Sequence, residues 1–145
     1  MKVLIQRVTE ASVSVDGAVV GEIGSGLLAL VGVEAHDNEE TVQRAANRLS
    51  KYRVFSDENG KMNLSVSDIN GGILVISQFT LAADTKRGLR PSFSSAASPE
   101  LAEALYLSLA NAIQSRGIQV ATGQFAADMK VSLLNDGPVT FQLEF

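Results

Sequence analysis

Gly71-Gly72-Ile73-Leu74-Val75-Ile76-Ser77-Gln78-Phe79-Thr80-Leu81 is the stretch that decides the fold. A glycine pair opens it, an apolar run follows, and polarity returns at Ser77, Gln78 and Thr80 while Phe79 and Leu81 stay apolar. A short apolar, β-branched run bounded by turn residues reads as a well-buried strand. Because side chains alternate along a strand, Gln78 and Thr80 are expected on one face and Ser77, Phe79 and Leu81 on the other. Two readings of this polar end stand side by side. In one, its polar groups satisfy local backbone at a strand terminus. In the other, they line a pocket while the main chain offers N–H groups to a ligand.

Working outward, the chain before this strand reads mostly as antiparallel sheet. Val3 to Val8 is strand-like, and Asp16-Gly17 between Ser12–Val15 and Ala18–Val20 is a hairpin signal, since both central residues need positive φ. Leu27 to Val31, bracketed by Gly24, Gly26 and Gly32, reads as a third strand buried on both faces. The period then changes. Asp37 and Glu40 resemble a capping box, and Val42, Ala45, Ala46, Leu49 and Tyr52 follow at helical spacing, about four turns at ~3.6 residues per turn.

Asp57-Glu58-Asn59-Gly60 reads as a turn and Asn63 to Val66 as a short strand. Beyond the opening stretch, Ser98-Pro99-Glu100 is a helix start, with Leu101, Ala104, Leu105, Leu109, Ala112 and Ile113 as the buried stripe and Arg116-Gly117 as the stop. Ile118 to Phe145 returns to strands, interrupted at Leu134-Asn135-Asp136-Gly137-Pro138. The expected fold is one α+β domain over residues 1–145, mainly antiparallel, a curled or barrel-like sheet with two helices.

With 145 residues, 46% hydrophobic and 19% charged, the chain is long enough for a real core and carries no signature of disorder. The absence of cysteine excludes disulfides and thiolate chemistry and is compatible with a reducing compartment. No apolar run is long enough to cross a bilayer. Met1 to Arg7 turns polar too early for a secretory segment, so a soluble cytoplasmic domain is expected. A net charge of −4 argues against wrapping a nucleic-acid duplex, yet leaves room for a local site that holds a strand end. Lys86-Arg87-Gly88-Leu89-Arg90 is the densest basic cluster: either a solvated loop or, given its place beside the polar strand end, a contact for phosphate.

Catalytic groups are scarce. The one histidine, His36, falls in a polar loop and reads as solvated, so a Ser-His-Asp arrangement has little support. One histidine without cysteine makes a poor metal site, and the glycines lack the spacing of a phosphate-binding fingerprint, so neither metal nor cofactor is expected. An enzyme built from these residues must rely on positioned backbone donors or on a group that the substrate brings. Gly137-Pro138 is the second informative feature. From the residues alone it is a trans edge-strand turn, with the alternative of two unpaired carbonyls projecting from it.

Ser77-Gln78-Phe79-Thr80-Leu81 and Asn135-Asp136-Gly137-Pro138-Val139-Thr140, with Gln6-Arg7-Val8 and the chain length, resemble the signature motifs of the D-aminoacyl-tRNA deacylases across essentially the whole chain. The resemblance implies a homodimer that binds the 3′ end of D-aminoacyl-tRNA and hydrolyses its ester, with glycyl-tRNA, including that mischarged on tRNA-Ala, as a second substrate. It implies a cis Gly137-Pro138 bond whose carbonyls enter the partner's site, receive the substrate amino group and leave an L side chain no room. Phe79 and Thr80 are then backbone oxyanion donors, Ser77 and Gln78 hold the terminal ribose and base, and the 2′-OH of the RNA assists. Arg7 braces the turn, and Phe125 and Met129 line the adenosine pocket. Two alternatives stay open: a non-catalytic tRNA-end binding module, and an esterase or peptidase with Thr80 as nucleophile.

Overall fold

The computed structural model describes residues 1–145. Its first half runs β1 (Lys2–Val15), β2 (Ala18–Ile23), β3 (Gly26–Gly32), α1 (Glu39–Lys51), β4 (Phe55–Ser56) and β5 (Met62–Leu64). Then come β6 (Gly72–Ser77), a 3₁₀ turn (Phe79–Ala82), α2 (Pro99–Gln114), β7 (Gln119–Thr122) and β8 (Lys130–Glu144). The first hairpin turns at Asp16 (φ 50°) and Gly17 (φ 81°), both positive as that turn demands.

β1 is the organising strand. Its first half pairs with β3, its second half with β2, and β8 runs along its other side, all antiparallel. β6 joins β3 and β7 joins β6 in parallel, which requires the crossovers that α1 and α2 supply. β2 curls back to pack on β7, bringing the sheet close to a barrel.

Alternation divides the core in two. Leu27, Ala29 and Val31 of β3 and Ile73 and Val75 of β6 face the two helices in the larger cluster. Leu28, Leu74 and Ile76 face inward with Val8, Val13 and Ile23 in a smaller cluster. Both central strands are therefore buried on both faces, the environment that near-continuous apolar runs require.

α1 begins one residue later than the Asp37–Glu40 pattern suggests. Asn38 is the N-cap: its Oδ1 accepts from the Thr41 N–H (3.1 Å), while the Thr41 hydroxyl accepts from the Asn38 N–H (3.2 Å). Asp37 is instead buried, accepting from the α-ammonium of Met1 at 2.6 Å and from the Glu34 N–H at 2.7 Å. A buried carboxylate needs such partners more than a helix needs that cap. α2 starts at Ser98 and Pro99 as read, but Ala104 is exposed, and Ala102, Tyr106 and Ala110 complete its buried face. The short strand β5 lies at 62–64, one residue upstream of the expected start.

Candidate active site

β6 leaves the sheet at Ser77, and the alternation expected for residues 77–81 ends there. Phe79–Ala82 winds into a 3₁₀ turn closed by Leu81 N–H to Gln78 O (3.2 Å) and Ala83 N–H to Thr80 O (3.2 Å). As at any helix start, the first N–H groups lack a partner within the turn. Those of Phe79 and Thr80 find no backbone acceptor elsewhere either. Gln78 N–H is held by the Val31 carbonyl at 2.7 Å, so the turn is anchored to β3 as well as to its own strand. Gly32 permits that approach: a Cβ there would lie 2.8 Å from Leu81 Cβ and 3.1 Å from the Gln78 carbonyl.

A cavity of about 510 Å³ opens beside this turn, within the ~300–1,000 Å³ range of small-molecule sites. Ser77, Gln78 and Phe79 form one wall, and Phe125, Met129 and Val131 contribute to the other. Behind Phe125 stands the buried Tyr106, whose hydroxyl donates to the Val75 carbonyl at 2.9 Å and steadies β6 from the helix side. The Thr80 hydroxyl accepts from the Gln78 carboxamide at 2.5 Å. That is its one side-chain partner, and an amide N–H cannot take a proton from a nucleophile. His36 is distant in role: it is exposed, 3.7–3.8 Å from Asp37 and Glu34. Those three residues form the one metal-ligand-type cluster, yet both carboxylates engage the Met1 ammonium.

Residues 134–138 do not separate two strands as the sequence reading expected. β8 passes straight through them with its register broken: Val8 pairs with Asn135 and Gln6 with Thr140. Asp136, Gly137, Pro138 and Val139 therefore stand opposite Arg7 alone and bulge out of the sheet. Arg7 Nε donates to the Asp136 carbonyl (2.9 Å) and Nη1 to the Val54 carbonyl (2.7 Å). Asn135 closes the bulge, its Oδ1 accepting from the Val139 N–H (2.7 Å) and its Nδ2 donating to the Thr140 hydroxyl (3.0 Å). The Gly137–Pro138 peptide is cis, against the trans form read from the residues alone and in agreement with the family resemblance. Gly137 has φ +144°, and a Cβ there would sit 2.7 Å from Val139 Cγ2. Both residues are exposed.

One chain does not bring the two motifs together. β1 and β3 lie between β8 and β6, three strand spacings of ~4.8 Å or roughly 14 Å along the sheet. Sequence reasoning gave Gly32 no role beyond bracketing a strand, and it passed over Tyr106 and Phe93, the last packed on Phe79 with ring centroids 5.2 Å apart. Of these only Gly32 had a signal, a glycine closing an apolar strand.

The sequence model of a family described as D-Tyr-tRNA(Tyr) deacylase matches residues 4–144. The D-aminoacyl-tRNA deacylase of Teredinibacter turnerae is 61% identical over 144 residues, and that of Shewanella halifaxensis 62% over 144, with 99% of each chain covered in both cases. Among solved structures, a c-Myc DNA unwinding element binding protein superposes with a TM-score of 0.95 at 38% identity, covering 100% of this chain and 99% of that one. A probable eukaryotic D-amino acid tRNA deacylase superposes at 0.87 with 15% identity, covering 98% and 97%, a likeness of fold. The chain belongs to the D-Tyr-tRNA(Tyr) deacylase family.

Proposed function

We propose that this chain is a D-aminoacyl-tRNA deacylase that works as a homodimer and selects handedness by exclusion. Family membership, with relatives at about 60% identity along the full length, supports the activity. Water attacks the ester carbonyl with the 2′-OH of the terminal adenosine assisting. The bond to the ribose oxygen breaks, and free D-amino acid and tRNA leave. Negative charge gathering on the carbonyl oxygen meets the free N–H groups of Phe79 and Thr80, donors of a kind worth roughly 10²–10³ each in rate. Ser77, Gln78, Phe125 and Met129 hold the terminal nucleoside. The observation that carries the mechanism is the surroundings of Thr80, whose hydroxyl touches a carboxamide and no base.

Selection needs the second copy. The carbonyls of Gly137 and Pro138 from the partner accept from the substrate α-amino group, and the same wall collides with an L side chain while glycine passes. Three features support this: the bulge is exposed, Arg7 and Asn135 brace it, and it stands far along the sheet from Ser77–Thr80 of its own chain. β8 also has a free edge and exposed Leu133, Leu134 and Phe141, a surface suited to a second copy.

The test is release of amino acid from D-Tyr-tRNA, L-Tyr-tRNA and D-tyrosine methyl ester. Turnover of the first alone is expected, and a terminal 2′-deoxyadenosine should abolish it. Turnover of the methyl ester would favour the Thr80 esterase, and binding of charged tRNA without hydrolysis a binding module. Solution mass should be that of two chains; a monomer active at every concentration would remove the partner's role in selection.

A further inference from the structure

We propose that the loop Asp84–Ser92 is a single-stranded RNA arm, its Lys86, Arg87 and Arg90 taking backbone phosphates while Phe79 and Phe93 at its base offer a stacking ledge for a nucleotide outside the cavity. The inference rests on the deacylase reading and adds a second contact with the same substrate.

The arm is a formed element. Asp84 and Ser92 exchange both backbone hydrogen bonds (2.8 and 3.0 Å), and Asp84 Oδ1 accepts from the Lys86 N–H at 2.9 Å. Gly88 turns the tip at φ +71°. Everything from Thr85 to Pro91 is exposed. A chain of net charge −4 thus raises three cations on one projection, and none of them has a carboxylate within 4.0 Å. Asp84, the arm's own acid, is turned to the Lys86 N–H.

The aromatic pair is the independent observation. Phe79 is 58% and Phe93 41% exposed, with rings tilted at 47° and centroids 5.2 Å apart. Two large apolar rings packed on each other at the surface keep much of their area in solvent, where a planar partner can cover it. Phe79 also lines the cavity, so cavity, ring pair and cationic arm follow one another without a gap. Cations that track a backbone beside aromatic rings are the chemistry of single-strand recognition, where each stacked base is worth about tenfold or more in affinity. A duplex presents neither open bases nor a flexible backbone to such a short arm.

The experiment compares wild type with K86A/R87A/R90A and with Phe93→Ala on D-Tyr-tRNA, on D-tyrosyl-adenosine, and in binding of a short single-stranded RNA ending in adenosine. The triple variant should raise KM for D-Tyr-tRNA about tenfold at low salt with kcat unchanged. It should also flatten the dependence of log affinity on log salt by about 2, at ~0.7 per phosphate for single strands. Turnover of D-tyrosyl-adenosine, which has no phosphate, should not change and reports intact folding. Phe93→Ala should weaken the RNA about tenfold, in keeping with the loss of one stacked base. Equal RNA affinity and equal salt dependence in the triple variant would overturn the arm. If wild type binds the RNA through the arm yet cleaves neither ester, the deacylase reading fails and the arm stands.

Discussion

Thr80 and Gly137 carry the sharpest residue-level consequences. The Thr80 hydroxyl lies against an amide donor and its neighbours supply no base, so its oxygen is poorly placed to attack. Thr80→Ala should keep D-Tyr-tRNA turnover within about tenfold of wild type, because the backbone donors survive the change. Removing a true nucleophile instead costs on the order of 10⁴–10⁶. Steady-state turnover decides between them. At Gly137 the positive φ and the nearby Val139 Cγ2 (2.7 Å from an added Cβ) leave no room for a side chain. Gly137→Ala should shift the bulge and so lose selectivity, read as a rise in the ratio of L- to D-Tyr-tRNA hydrolysis.

At the scale of elements, the 3₁₀ turn is only as well placed as its contact with β3. Gly32→Ala would press a methyl onto Leu81 Cβ, the Gln78 carbonyl and the Ala82 amide, all within 3.2 Å. The strand cannot yield, so the turn must. The expected cost is about 1–3 kcal/mol in stability and, for a displacement near 1 Å, about 10² in kcat, measured by urea unfolding and single-turnover kinetics. The start of α1 makes a different demand. Asp37→Ala would leave the buried Met1 ammonium with Glu34 at 2.9 Å and the Phe145 carbonyl at 3.3 Å, without its shortest partner, and lower stability by about 3 kcal/mol in the same denaturation assay.

Across the whole molecule, α2 ties the helical layer to the sheet through Tyr106. Burial pushes its hydroxyl above the ordinary value of 10.0, opposed by hydrogen bonds from the Gly123 and Thr122 region. The unfolded chain therefore gives up this proton first. The stabilisation is full below pH 10 and declines as pH rises beyond it. Tyr106→Phe should cost about 1 kcal/mol at neutral pH and remove this share of the alkaline decline, seen in thermal unfolding from pH 8 upward.

Strands β3 and β6, both helices and the first hairpin were legible because their signals are local. Apolar runs, periodicity and turn residues act within a few positions of one another. The two motifs were legible too, as residue patterns that resemble a family. What the residues in order did not reveal was where each pattern ends up. The alternation at Ser77 yields to a 3₁₀ turn because β3 holds Gln78 and leaves space at Gly32. Asn135-Asp136-Gly137-Pro138 is a bulge and not a hairpin because β1 keeps pairing on both sides of it and Arg7 bonds its carbonyl. Both outcomes depend on partners distant in sequence, and only the folded sheet brings those partners into contact.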